Sequence, residues 1–393
     1  MSQRYLLHGA GIVTAGETFQ ADLRVRNRRI CEIGSGLRPG SSELQLDCSG
    51  HFIYPGLINS HDHLAFNLFP RLGEPPYENS YEWGRDLHAK WNSTIESIQR
   101  IPLRWRLAWG AWKNLLSGIS LVIHHDHYSL HFLSRFPIEV FRRYTFAHSM
   151  QFDPDLRDAL ARRKRGAPFM IHLAEGKDDA CTAEVKSLNE VGGLDERTVA
   201  VHAVGITEDD IRLLQKSRAS VVWCPSSNIF LFGKTAPVMS LCGRVPLALG
   251  TDSTLTGSLT LFDEMRAARK ASSLSAKDIF ALVTEAPRRI FGLASDAGTL
   301  CREGSADLFM LPDSSGDPYE TVLAANPGTI SLSMKGGRPV FFDPALFPHL
   351  INGRGGMDIT LEGKGKFITD NDFPRLYKNL RPYLGHYSYL DVN

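Results

Sequence analysis

An α/β protein resting on parallel strands, with a small sheet ahead of them, is the fold class that the sequence predicts. Three observations predict it. Residues 5–47 carry short runs in which apolar and polar side chains alternate, the period of a half-buried strand. From residue 53 to 295, apolar β-branched runs alternate with helix-patterned stretches, which calls for parallel strands joined by helical crossovers. Polar residues, most of them histidines, recur at the ends of those runs, where parallel architectures gather their reactive groups. A (β/α)8 barrel and a doubly wound sheet both satisfy this pattern.

Taken in order, Tyr5–His8, Ala21–Arg26, Arg29–Ile33 and Glu43–Asp47 read as strands of a small antiparallel sheet. Leu103, Leu107, Ala108, Ala111, Trp112, Leu115 and Leu116 share one helical face, with Pro102 at the start and Gly118 just past the end. Trp105, Trp109 and Trp112, at helical spacing, read as packing. Ile119–His124, Tyr144–Ser149, Phe169–His172, Thr198–His202, Ser220–Trp223 and Val245–Leu249 read as strands. Ile138–Phe141 is the candidate for one more, and Pro154–Arg165 is helix-like. Ala180–Val191 and Glu208–Lys216 are helical, the latter opened by Thr207 with Asp210 as an imperfect capping box. Ala306–Leu311 and Ile330–Met334, with Gly336-Gly337 as a turn, return to strand pattern. From Pro344 onward no period is visible.

Composition narrows the function classes. The 393 residues hold 44 Lys+Arg against 43 Asp+Glu, a net charge of +1, which gives no electrostatic case for nucleic acid or an anionic membrane. No apolar run is long enough to span a bilayer, and the first residues lack a signal-peptide core. Six scattered cysteines without a C-x-x-C pair read as reduced thiols, so a cytoplasmic protein is expected.

His61-Asp62-His63 follows the run Phe52–Ile58. At a strand end, residues two apart point to one side, so the two imidazoles converge as ligands of zinc or iron would. Alone, H-x-H is a weak signal. His172, His202 and Asp252, each ending a further strand, strengthen it, because a buried carboxylate among imidazoles needs a cation or hydrogen bonds to offset its desolvation. Glu175, three residues after His172, reaches over the same point and can shuttle protons.

With these residues in view, the sequence resembles the amidohydrolase superfamily over roughly residues 5–340, in its deaminase and chlorohydrolase branches. The resemblance rests on Pro55–His63, on Ile171-His172-Leu173-Ala174-Glu175, on Val201-His202-Ala203, on Trp223–Asn228, on Gly250-Thr251-Asp252-Ser253 and on Thr284–Leu308. It implies a (β/α)8 barrel over residues 53–295 with a small β-sandwich from 1–52 and 296–345, leaving 346–393 as an extension serving as a lid or dimer contact. It implies one divalent metal, zinc with iron or manganese as alternatives, on His61, His63, His172 and Asp252, with His202 bonding the attacked group. No lysine stands at a strand end to support a second metal. The stretch between His63 and His172 is short for three further strand–helix units, so the barrel is expected to be irregular there.

The activity so implied is hydrolysis of a C–N bond by an activated water, with Asp252 taking the water proton and Glu175 protonating a nitrogen. Deamination of an aminated N-heterocycle is the leading reading. The alternatives are hydrolysis or reverse cyclisation of an amide or amidine in a biosynthetic or peptide-derived substrate, and an inactive scaffold. Substrate contacts are expected from Phe66 and Arg71, on an aromatic-rich loop reaching to Trp91, and from His125, His127, His148 and Asn228. His124, His125 and His127 also read as ligands of a second metal. A small-molecule substrate and a homodimer are the expected partners, the tail tyrosines Tyr377, Tyr383, Tyr387 and Tyr389 supplying a contact. Arg162–Arg165 reads as a solvated helix end.

Overall fold

Two parallel sheets carry the middle of the chain. In the computed structural model, which describes residues 4–133, 135–153, 156–351 and 355–391, one sheet joins Leu57–Asp62, Ile119–His124 and Glu139–Val140. The other joins Thr145–Ser149, Phe169–Leu173, Thr198–His202, Ser220–Trp223 and Leu247–Leu249, in chain order. These strands are buried along almost their whole length, as strands covered on both faces must be. The two sheets meet where the Asp252 amide donates to the His61 carbonyl at 3.1 Å. Gly250 permits this approach: a Cβ there would stand 2.6 Å from the His61 Cβ.

Crossovers differ from one side to the other. Helices Leu103–Leu115, Glu184–Glu190, Glu208–Ser217 and Leu261–Ala271 follow or precede strands in the expected way. Thr207 and Asp210 form a complete capping box. Between Ile119–His124 and Glu139–Val140, by contrast, the described residues hold only the single turn Leu130–Phe132, and residues 141–144 alone lead to Thr145–Ser149. The irregularity expected between His63 and His172 is therefore a shortage of helices, not of strands. Helix Leu156–Ala161 follows; Pro154 and Asp155, the start of the expected helical stretch, lie outside the described residues.

The small sheet departs from expectation. Among the described residues it has ten strands and is mixed, not purely antiparallel. Tyr5–Val13 is long enough to pair successively, and in parallel, with Leu44–Asp47 and His51–Pro55. On its other edge it runs antiparallel to Thr18–Arg26, which leads on to Arg29–Gly34. His51–Pro55 then pairs with Leu308–Pro312, followed by Leu332–Lys335, Arg338–Phe342, Lys364–Ile368 and Met357–Leu361. Both halves of the chain thus share one hydrogen-bonded layer.

Helix Leu103–Leu115 is buried nearly all round from Leu107 onward. Gly110 lets it press against the Leu64 backbone, where a Cβ would meet the carbonyl oxygen at 2.3 Å. Trp109 packs edge-on against Tyr387 and Trp112 against Phe373, so the tryptophans are core residues and the tail is their cover. All six cysteines are unpaired. Among the described residues, no helix is long and apolar enough to cross a membrane.

Candidate metal centre and active site

Strand ends bring the histidines together. Nε2 of His172 stands 3.3 Å from Nε2 of His63 and 3.4 Å from Nε2 of His61. Two nitrogens bound to one zinc at about 2.0–2.1 Å and a tetrahedral angle stand roughly 3.3–3.4 Å apart. Burial, reinforced by the neighbouring imidazoles, pushes the pKa of His61 and His172 well below the usual histidine value, so both are neutral and carry lone pairs. Nδ1 of each is buried without a hydrogen-bond partner among the described residues. Facing lone pairs in a dry site repel one another, and a divalent cation, zinc by its donor set, resolves the repulsion.

Asp252 lies at the side of this cluster, its Oδ1 3.8 Å from Nε2 of His61. Its Oδ2 accepts from Ser227 at 2.9 Å and Thr256 at 2.8 Å, and its Oδ1 from the Ser253 amide at 2.7 Å. Burial alone would raise its pKa; the His202 and His63 imidazoles and these donors outweigh burial and hold the carboxyl below its usual range. Glu175 goes the other way. Burial raises its pKa, His202 opposes only in part, and the Asp252 charge adds to the rise. Two carboxyl groups in one pocket are thus pushed apart in acidity.

His202 stands between them in role. Its Nδ1 meets the Asn228 side-chain oxygen at 2.8 Å, and its Nε2 lies 3.5 Å from Glu175 Oε1. Asn228 accepts the Nδ1 proton and so leaves Nε2 bare toward the pocket. His202 at φ +74° and Asp252 at φ +55° hold left-handed backbone conformations that non-glycine residues seldom adopt, as strained functional loops do.

A cavity of about 730 Å³ opens over this end of the strands. His63, His172, Glu175, His202 and Asp252 form its polar floor. Phe66, Phe69, Trp83, Leu87 and Phe152 supply apolar walls, many of them from helix Ser80–Lys90 and the loop before it. Phe66 also stacks on His63, ring centres 5.6 Å apart.

The remaining expected contacts are dispersed. His148 lines the cavity and is exposed there. Arg71 is turned to the Gly257 carbonyl at 2.7 Å and lies over the Phe230 ring. Asn228 serves His202 and does not line the cavity. His127 packs against Phe146, and His124 accepts the Leu64 amide at 3.3 Å; neither lines the cavity. His125 lies inside the imidazole cluster: donor atoms of His61, His63, His125 and His172 all fall within 4.8 Å of one another, as do those of His61, His202 and Asp252.

Several residues that build the site carry no motif. Lys113, Asn114, Asn59 and Asn67 surround the Asp62 carboxylate beneath the H-x-H pair. Ser227 and Thr256 secure Asp252; of all these residues, only Asn59, within Pro55–His63, and Ser227, within Trp223–Asn228, lie in segments that carried the sequence resemblance.

Residues 143–340 match the model of the amidohydrolase family. A 5'-deoxyadenosine deaminase of Methanothermobacter thermautotrophicus is 25% identical over 365 residues, covering 79% of this chain and 85% of that protein. A 5-methylthioadenosine/S-adenosylhomocysteine deaminase of Pyrococcus furiosus is 25% identical over 369 residues, covering 77% and 85%. Among solved structures, a zinc-bound adenosine deaminase from Xanthomonas campestris superposes with a TM-score of 0.71 at 17% identity, covering 96% of this chain and 97% of the other. Zinc-bound atrazine chlorohydrolase from Arthrobacter aurescens gives 0.74 at 16% identity, covering 97% and 100%.

Proposed function

Because the chain belongs to the amidohydrolase family, we propose that it is a metal-dependent hydrolase that deaminates an aminated N-heterocycle. The observation that carries this reading is the pair of oppositely tuned carboxyl groups, Asp252 and Glu175, beside three converging imidazoles at the floor of an aromatic-walled cavity. The names of its relatives supply the substrate class: adenine nucleosides carrying an exocyclic amine.

His61, His63 and His172, with Asp252, would hold the cation. A bound divalent ion makes hydroxide available near neutral pH by lowering the pKa of water toward about 7. Phe66, Trp83 and Phe152 bind a flat ring by their faces and exclude water from it. Glu175, whose carboxyl burial shifts toward the protonated form, donates to a ring nitrogen and makes the amine-bearing carbon electrophilic. Asp252, kept ionised, accepts one proton of the attacking water and returns it to the departing amine; ammonia leaves, the remaining hydroxyl proton restores the Glu175 carboxyl, and a carbonyl remains. His202 offers its bare Nε2 to the hydroxyl group formed at the attacked carbon.

We infer that the eight parallel strands form one barrel over residues 53–295; the bond between Asp252 and His61 and the likeness to the zinc-bound structures support it. Residues 1–52 and 296–345 would form its companion domain, enlarged by the extension 346–393. A cytoplasmic location is supported by six free thiols.

The test is ammonia release by zinc-loaded protein across adenosine, 5'-deoxyadenosine, methylthioadenosine, pterins and triazines. At least one is expected to be turned over, with activity lost on chelation. Glu175→Gln is expected to retain zinc and lose turnover by at least a hundredfold. Zinc-replete protein that releases no ammonia from the panel yet cleaves an amide would replace this reading with amide hydrolysis; no hydrolysis of either kind would leave a scaffold.

A further inference from the structure

The residue after strand Ile119–His124 sits in an unusual position for a loop histidine. The His125 amide donates to the Asp62 carbonyl at 3.1 Å, which ties it between the two arms of the H-x-H pair. Its ring is almost wholly buried. Ring centres lie 4.3 Å from His172, 5.1 Å from His61 and 5.6 Å from His63. It does not line the cavity in which a substrate would lie.

The two nitrogens of this ring are in different states. Nε2 meets the Ala147 carbonyl at 3.0 Å, and a carbonyl only accepts, so Nε2 carries the proton. Nδ1 is then a bare lone pair, and it is buried with no partner among the described residues. A ring N–H held by a backbone carbonyl, with the opposite nitrogen free, is how proteins orient a metal-binding imidazole. We propose that His125 is a ligand of the same ion as His61, His63 and His172. The proposal rests on the metal-hydrolase reading. In this arrangement the neutral imidazoles leave the ion's charge uncompensated, and Asp252, grouped with His61 and His202 instead, is freer to act as the base.

X-ray absorption on the zinc-loaded full chain counts imidazoles per ion, and chelator competition measures affinity. Four imidazoles on one zinc are expected in the wild type and three in His125→Ala, with affinity weakened by more than the roughly ten- to hundredfold that loss of a group merely orienting a ligand costs. Far-UV circular dichroism of the metal-free variant shows whether it folds; if it does not, the wild-type count decides alone. Three imidazoles in the wild type, or two zinc ions per chain, overturns the assignment and leaves the hydrolase reading standing. A wild type that takes up no zinc overturns both.

Discussion

Asp62 lies between two imidazoles that share one side of a strand end, so its own carboxylate turns to the other side, toward helix Leu103–Leu115. There it accepts from Asn67 and Asn114, each at 2.8 Å, and faces the Lys113 ammonium at 3.4 Å. Lys113 and Asp62 are both almost fully buried. Removing one partner of a buried pair leaves the other charge uncompensated, a loss of about 3–5 kcal/mol. Lys113→Met is therefore expected to lower stability by about that amount in denaturant titration. Lys113→Met combined with Asp62→Asn should recover most of the loss, and a double variant no more stable than the single one would show that the pair is not coupled. The imidazoles were legible in the sequence because H-x-H is a local spacing and His172, His202 and Asp252 each end a β-patterned run. Lys113 was not: its partner is 51 residues away, and a lysine between Trp112 and Asn114 looks like any exposed helix position.

The cavity wall is fixed at the level of elements. The segment leading into helix Ser80–Lys90 docks on the loop that carries Glu175: the Ser80 amide donates to the Glu175 carbonyl at 3.0 Å and the Lys177 amide to the Glu78 carbonyl at 2.8 Å. Glu184, at the start of helix Glu184–Glu190, completes the clamp by accepting from Tyr81 at 2.5 Å and from the Ala174 amide at 2.7 Å. The sequence reads one helix over Ala180–Val191, whereas the structure breaks it at Ala183 between two short helices, which sets Glu184 at a helix start facing the strand. No local pattern encodes that break. Burial raises the Glu184 carboxyl to about 7, with Tyr81 and Ala174 opposing in part. A carboxyl whose pKa is higher folded than unfolded, about 4.3 for a free Glu, contributes stability that is full below the unfolded value and is lost as pH rises through the folded one. Glu184 therefore draws melting temperature down as pH rises from about 4 to about 7, against the opposite slope of His61 and His172, whose lowered pKa adds stability as pH rises toward the free-histidine value. Glu184→Gln is expected to turn the pH slope of melting temperature upward relative to the wild type over this range, while Glu264, likewise raised to about 7 by burial, keeps its own downward share in both. Equal slopes in variant and wild type would show that Glu184 does not titrate in this window.

At the scale of the whole molecule, the last part of the chain reaches the metal centre from behind. Strands Lys364–Ile368 and Met357–Leu361 extend the ten-stranded sheet, and the segment beyond covers Trp112 with Phe373 and Trp109 with Tyr387. The Tyr387 hydroxyl donates to the Asn67 carbonyl, and the Asn67 side chain in turn holds Asp62. The tail tyrosines had no readable period because they serve different surroundings: Tyr387 and Tyr389 are buried, Tyr383 is exposed and Tyr377 is half-buried. Strand Lys364–Ile368 was hidden by its two lysines, one of which, Lys366, is buried and donates to the Ile330 carbonyl at 2.8 Å. A chain end that closes the core differs from a mobile flap or a subunit contact in a measurable way. Tyr387→Phe strands a buried carbonyl, a loss of about 1–3 kcal/mol, and is expected to lower the melting temperature by a few degrees at every protein concentration. Tyr383→Phe, on the surface, should leave it within error. If instead Tyr387→Phe were neutral at high concentration and destabilising only on dilution, Tyr387 would be stabilising an assembly of subunits, not the closure of its own chain.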